Sequence, residues 1–273
     1  MQSIRLYQLY VVATSIILLF VFSSKVWATE TPASGFFIAG PALNPEYRGS
    51  EDFTIVPMIV SQYQSEFVNF EIEGLTARAE LWQQSAYTIG VTAEFDFGRD
   101  SDVESELVKQ LKEIDASING GVYAAWASKD QFLDGDNLAY RIALFTDLTN
   151  THNGLFTTLT ATYTLPLAIP WRFEFELETT YASNQYMDTY FSIIPAAETA
   201  AELPAFTAGA SLRDITFSTN IGFFTSEVWG AFLRLSASRL TGDAKDSPIV
   251  NDGTANQYFA GLGIIYRFGG NNE

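Results

Sequence analysis

The sequence predicts an all-β fold, a transmembrane antiparallel β-barrel of about twelve strands with ten as the competing count. Three observations carry this. Residues 171 to 181 alternate strictly: Trp171, Phe173, Phe175, Leu177, Thr179 and Tyr181 share one face, and Arg172, Glu174, Glu176, Glu178 and Thr180 the other. Successive side chains of a strand point to opposite faces, so this segment has an apolar side for lipid and an ionisable side for a wet lumen. No segment after the first 28 residues offers the roughly 20 apolar residues of a spanning helix, yet aromatics make up 15% of the chain. Backbone groups in hydrocarbon must all be paired, so many amphipathic strands without such a helix imply a sheet closed on itself.

The elements follow in order. Met1 to Arg5 precede a nearly all-apolar run from Val11 to Phe22, and Val26, Trp27 and Ala28 form a small-residue cleavage pattern. This predicts a signal peptide over residues 1–28 and a barrel domain over 29–273. Candidate strands begin at Gly35–Ala42, Thr54–Tyr63, Phe67–Ile72 and Leu75–Trp82, and Glu73 with Gly74 separates the last two. Tyr87 to Phe97 alternates clearly; Ile114–Ala127 is weaker; Asn137 to Leu144, Thr158 to Leu165 and Trp171 to Tyr181 are clear again. Phe206–Phe224 is long enough for one strand or two, Val228–Leu240 follows, and Tyr258 to Phe268 closes the series. An even strand number places both termini in the periplasm, where links are short. The short link Pro166–Pro170 then belongs there, and the longer links Asn44–Asp52, Gly98–Glu113, Thr149–Asn153, Asn184–Pro204 and Thr241–Asn256 lie outside the cell.

Within the second of these loops, Ser101 and Glu104 have capping-box spacing, and Val103, Leu107, Leu111 and Ile114 recur at helical spacing, predicting a short helix whose apolar stripe covers the barrel rim. Trp82, Trp126, Trp171, Trp229 and Tyr266 stand near strand ends, as the aromatic girdles of a membrane barrel require.

Removal of residues 1–28 takes away Arg5 and Lys25 and no acid, leaving 13 basic against 32 acidic residues and a net charge of −19. Nucleic acid is thereby excluded as a partner. Cysteine is absent, so there is no disulfide framework and no thiolate metal site. The single histidine, His152, sits in the turn-like run Asn150 to Gly154, and nothing in the sequence assembles a nucleophile and an orienting group around it. Asp134 to Asn137 lacks the twelve-residue calcium-loop pattern and reads as a tight turn. No catalytic, cofactor or metal site is expected. Arg172, Glu174, Glu176 and Glu178 are read as lumen-facing, with Arg141, Arg234 or Arg267 on other strands offsetting the carboxylates.

The loops are more specific than the strands. Pro45, Glu46, Tyr47, Gly49 and Ser50, then Gly98, Arg99 and Asp100, then Asp188, Tyr190 and Phe191, then Gly242, Asp243, Asp246, Ser247 and Pro248 occur in the order found in the MipA/OmpV family of outer-membrane proteins, which this chain resembles. It departs from the family at Lys245 and in the five residues Gly269 to Glu273 after the terminal Phe268. The resemblance implies an integral barrel in the outer membrane of a Gram-negative bacterium, surrounded by its lipid. It further implies a scaffold that joins a membrane-bound lytic transglycosylase to a bifunctional murein synthase through periplasmic turns such as Ser128–Asp136 or Pro166–Pro170. The charged face from Arg172 to Glu178 supports a different reading, a channel or porin-like transporter, and the long outer loops a third, a surface adhesin or receptor.

Overall fold

The computed structural model describes residues 33–194 and 203–269. The expected signal peptide lies outside them. Twelve strands, β1 (Ser34–Pro45), β2 (Phe53–Gln64), β3 (Asn69–Glu73), β4 (Thr76–Gln84), β5 (Tyr87–Asp96), β6 (Ser117–Lys129), β7 (Asn137–Asp147), β8 (Leu155–Thr164), β9 (Trp171–Ala182), β10 (Ser211–Phe224), β11 (Trp229–Leu240) and β12 (Asn256–Phe268), pair antiparallel in sequence order. Pairing of β1 with β12 closes the sheet, from Gly35 opposite Phe268 to Leu43 opposite Ala260. Among the described residues no helix is long and apolar enough to cross a membrane, so the strands are the spanning elements. A closed sheet with an apolar exterior is an outer-membrane barrel.

Alternation sets the register. On β7, Tyr140, Ile142 and Leu144 face outward and exposed, while Ala143 and Phe145 are buried inside. A slip of one residue would turn every such row inside out. The first and last strand ends meet at the end of the barrel that also carries the short links after β2, β4, β6, β8 and β10, which is the periplasmic end. Trp82, Trp126, Trp171, Trp229 and Tyr266 all lie toward it, with Trp126 against Tyr140 at 5.8 Å, Trp171 against Phe223 at 4.8 Å and Trp229 against Tyr266 at 4.9 Å.

Phe67 to Trp82 does break into two strands, at a turn through Gly74 and Leu75. Both are short, and β3 pairs with β2 only from Val60 to Gln64. Phe206 to Phe224 yields one strand, since Phe206 instead bridges Ile193. The helix expected around Ser101 to Ile114 is replaced by an irregular loop with a 3-10 turn at Val108–Gln110. Its capping box does not form: the Ser101 hydroxyl donates to Glu113 (2.7 Å), and the Glu104 N–H donates to the Glu46 carboxylate (2.9 Å). The apolar residues Val103, Val108 and Leu111 are nevertheless buried, against Tyr47, Ile193 and Ile249.

Among the described residues three helices lie in the outer loops: α1 (Asn184–Phe191), α2 (Gly242–Asp246) and α3 (Pro248–Asp252). Tyr186, Met187, Tyr190 and Phe191 of α1 are buried in one cluster with Phe145 and Phe156 of the inner wall and with Leu240, Ala244 and Val250. A helix bearing large side chains at these spacings buries one face, and here that face packs against the inner wall at the extracellular end.

Candidate functional site: the lumen and its outer mouth

The inward rows of the strands divide the lumen into two walls. On β1, β2, β11 and β12 they supply Ile38, Ala42, Met58, Phe232 and Ile265, an apolar cluster. On β3, β4, β7 and β9 they supply charges, and Arg234 of β11 reaches across to them. Its Nη1 lies 2.6 Å from Glu73 on β3 and its Nη2 3.2 Å from Glu176 on β9, so one guanidinium ties together strands that are not neighbours. Arg78 contacts Glu73 (3.0 Å) and Glu71 (3.3 Å), and Arg141 reaches the other oxygen of Glu71 (3.5 Å). Asn220 donates to Glu174 (3.0 Å) and accepts from Arg234, while the hydroxyl of Thr160 donates to Glu178 (3.0 Å). Three carboxylates, Glu71, Glu73 and Glu176, thus pair with three guanidiniums, Arg78, Arg141 and Arg234, and Glu174 and Glu178 extend the row through Asn220 and Thr160, in a charged waist that crosses the lumen.

Arg172, at the periplasmic start of β9, is mostly exposed and lies 3.5 Å from Glu174. Arg267 does not join the waist; its guanidinium lies over the ring of Phe224, 3.5 Å from the centroid, because apolar residues and not acids surround its strand. The contribution of Glu71, Glu73 and Arg78 was not legible as a site. Their strands are short and weakly alternating, and only closure brings Glu73 to Arg234.

Above the waist, the mouth is held by buried polar contacts. Arg48 pairs with Asp96 and lies over the ring of Tyr190. Burial works against the charge of Arg48, but Asp96 beside it more than offsets this and holds the guanidinium well above its ordinary pKa. Arg213, at a bulge in β10, pairs with Asp214 and donates to the hydroxyl of Tyr186 and to that of Thr180. Burial raises the phenols of Tyr186 and Tyr190, which stay neutral.

His152 is fully engaged in this mouth. Its Nδ1 accepts the Gly154 N–H (3.0 Å), which leaves the proton on Nε2 to be donated to Asn119 Oδ1 (2.8 Å). The ring packs edge-on against Tyr186 at 4.9 Å, and burial lowers its pKa. Both ring nitrogens are committed to holding the loop. Among the described residues no group of three or more His, Cys, Asp or Glu is arranged to hold a metal ion.

The loop motifs converge on the same end. Glu46 receives the Glu104 N–H, and the N–H of Gly49 donates to Gln257 (3.1 Å) while that of Ser50 donates to the Tyr47 carbonyl (3.0 Å), just beyond Pro45 at the end of β1. Gly98 takes φ +71°, and Arg99 exchanges backbone hydrogen bonds with Ile114; the Asp100 carboxylate accepts the Asp102 N–H. In α1, the Asp188 carbonyl accepts the Ser192 N–H. Gly242 opens α2, and Asp243 accepts the Gly209 N–H (2.6 Å). Ser247 caps α3 before the buried Pro248 and donates its hydroxyl to the Phe191 carbonyl (2.7 Å), bolting α3 to α1, while Asp246 is exposed. Most of these residues are hydrogen-bonded or packed within the folded outer loops, while Asp188 and Asp246 are exposed.

The family model described as MltA-interacting protein MipA matches residues 38–268. No curated protein matches the chain. Among solved structures the chain is similar to OmpT, an outer membrane protein of Vibrio cholerae, at 8% identity and TM-score 0.38, covering 90% of this chain and 100% of that one. It is also similar to an outer membrane channel from Pseudomonas putida F1, at 10% identity and TM-score 0.43, covering 90% and 98%. OprB of Pseudomonas putida matches at 9% identity and TM-score 0.37, covering 87% and 94%.

Proposed function

The chain belongs to the MltA-interacting protein MipA family, and from that premise and the geometry of its lumen we propose that it is an outer-membrane conduit for small cations, held here in a closed state. The observation that carries this reading is the charged waist. Buried ion pairs contribute little net stability, and an apolar filling of the same volume would hold the barrel as well or better. Charged rings are, in contrast, the means by which pores select ions. With Arg172 beside Glu174, the row carries five acids to four bases, an excess of negative charge that favours cations. The stopper is α1, whose contacts to the rim run through Arg48, Arg213 and His152.

Planar-bilayer recordings under a salt gradient test it. Wild-type protein should open briefly and rarely. A chain in which a short Gly-Ser turn replaces residues 184–208 should conduct steadily with a cation-selective reversal potential, and neutralising Glu174, Glu176 and Glu178 to Gln should abolish that selectivity. If the shortened barrel is folded and still insulates, the conduit is rejected.

A second reading, a scaffold for a lytic transglycosylase and a murein synthase, draws on the family description and on one surface. The periplasmic turns 130–136 and 165–170 expose Phe132 (73%) and Ile169 (80%) on a rigid base. Asp136 there accepts the N–H groups of Gln131, Phe132 and Leu133 and the hydroxyl of Tyr163. Under this reading F132D with I169D should lose capture of the transglycosylase in cells while leaving bilayer behaviour unchanged.

A further inference from the structure

The barrel wall is incomplete on one side. β3 has five residues, its pairing with β2 stops at Val60 opposite Glu73, and the last bond runs from the Gly74 N–H to the Ile59 carbonyl (2.8 Å). In an antiparallel ladder alternate residues turn their backbone groups to opposite neighbours, so those of Pro57, Ile55 and Phe53 point, like Ile59, to where β3 would have continued. Among the described residues nothing hydrogen-bonds to them there. Across the gap, β4 starts at Thr76 and the Phe95 N–H of β5 closes on the Leu75 carbonyl (3.0 Å). Above that turn β2 faces β5 with two strands missing between them, about 14 Å between backbones at about 4.8 Å per strand. The level is that of the outer leaflet. Tyr63 lies beside Phe268 at the periplasmic end, with 6.4 Å between ring centroids. From there up to Phe53, β2 covers the roughly 25 Å apolar band of an outer-membrane barrel, at about 3.3 Å per residue and a tilt of about 40°. Gly74 stands level with Ile59, so the gap runs from near mid-membrane to the outer rim. The loop 97–116 crosses its top, joined to the loop after β1 by Arg48 with Asp96 and by the Glu104 N–H with Glu46.

We propose that this gap is a lateral window through which an alkyl amide passes between the outer leaflet and the lumen above the waist. Its borders are apolar and uncharged. Phe53 to Val60 carries no ionisable group, Ile55 is 74% exposed, and Leu75 at the sill and Phe97 on the β5 side are exposed as well. Just inside, Val56 and Met58 belong to the apolar wall and offer an alkyl chain a surface to follow, while Glu73 and Arg78 at the level of the sill oppose its descent into the waist. Hydrocarbon alone cannot satisfy the backbone groups of Phe53 and Ile55 or the Pro57 carbonyl. An amide beside an alkyl chain supplies one donor and one acceptor to that edge, and lumen water serves it between passages. Pro57 has no N–H, which makes the edge a poor template for an added peptide strand and suits it to a small passenger instead. The window opens above the waist, so the inference does not depend on whether the waist conducts ions.

The test is photolabelling of the full barrel in lipid vesicles with an N-alkyl amide that carries a diazirine at the end of its chain. Peptide mapping should find insertion at Val56 and Met58 at least tenfold above Ser236, an inward residue as far above Trp229 as Val56 is above Tyr63 but flanked by complete strands. Lengthening β3 and β4 by about four residues each, roughly 13 Å along the strands, fills the gap. That variant should lose labelling of Val56 and keep labelling of the lipid-facing Leu177. Should it fail to fold, a bimane label on V56C or S236C decides, because the chain has no cysteine of its own. Brominated acyl chains should then quench V56C at least threefold more than S236C. Equal labelling of Val56 and Ser236, labelling confined to outward side chains, labelling of Val56 that survives the longer hairpin, or equal quenching of the two bimanes would overturn the window.

Discussion

Replacing Arg234 by Met should destabilise the barrel strongly, and neutralising its partners should restore it. Arg234 is 17% exposed in its side chain and faces Glu73 at 2.6 Å and Glu176 at 3.2 Å, themselves 19% and 10% exposed. Breaking a buried pair by removing one member costs about 3 to 5 kcal/mol, because the charges left behind are neither solvated nor paired. Glu73 retains Arg78 at 3.0 Å, which lowers the expectation to about 3 kcal/mol, more than a hundredfold in the folding equilibrium. Adding E73Q and E176Q to R234M removes the orphaned charges and should recover all but about 1 kcal/mol of the loss, the residue of a hydrogen-bonded network replaced by neutral amides. The measurement is urea unfolding in lipid vesicles, followed by tryptophan fluorescence, for the wild type, the single variant and the triple variant. If R234M lies within about 0.5 kcal/mol of wild type, a range ordinary for a surface substitution, the waist does not bear on the fold. If the triple variant is no more stable than the single one, the cost arises from lost packing and not from unpaired carboxylates.

Acid should loosen the mouth through His152. Burial holds its folded pKa below the ordinary 6.5, so between the two values the unfolded loop binds more protons than the folded one, and stability present above about pH 6.5 is lost as pH falls toward the folded value, by up to about 1.4 kcal/mol per pH unit. Hydrogen exchange of the α1 amides should therefore accelerate from pH 7.5 to 5 in wild type and much less in H152Q; equal acceleration in both would assign the effect elsewhere. Gly98→Ala should cost about 2 kcal/mol or more, because φ is +71° and a Cβ would stand 2.0 Å from the Ile114 carbonyl oxygen. Proteolysis of the loop 97–116 in the folded barrel should detect the loss, and an unchanged cleavage rate would contradict the close approach.

The strands were legible because every side of a barrel strand meets a different solvent. Trp171 to Tyr181 alternates for that reason, and Gly74 broke the third candidate from the fourth because a positive φ was needed there. The loops were read less well for an equally physical reason. The stripe from Val103 to Ile114 truly reports burial, but Ser101 and Glu104 found partners at Glu113 and Glu46, and these displaced the helix. Conversely, α1 forms inside the long link Asn184–Pro204, where Tyr186, Met187, Tyr190 and Phe191 recur at helical spacing and bury one face against the inner wall. The waist was legible in its β9 row and in Arg234 as a counter-charge, which pairs with Glu176, but not in Glu71, Glu73 and Arg78, since Glu73 and Arg234 are 161 positions apart and meet only through the closed register.

The apolar wall has its own logic, and it concerns closure. Every strand except β1 and β12 gains both its neighbours from nearby sequence, whereas this last pair must find each other from opposite ends of the chain. Their ladder is interrupted at Gly40 and Pro41, where proline offers no donor. The interior compensates on the same strands. A Cβ on Gly261 would stand 2.5 Å from the Met58 sulfur and one on Gly263 2.7 Å from Ile38 Cγ2, so these glycines give Met58 and Ile38 the room to pack against β12. The resulting cluster of Ile38, Ala42, Met58, Phe232 and Ile265 draws on the strands flanking the seam, and water excluded there drives the two ends together where hydrogen bonds are missing. Charges placed on this wall would have to be desolvated at the step that closes the barrel, which is a physical reason for the waist to lean on β3, β4, β7 and β9 and to take only Arg234 from the apolar side.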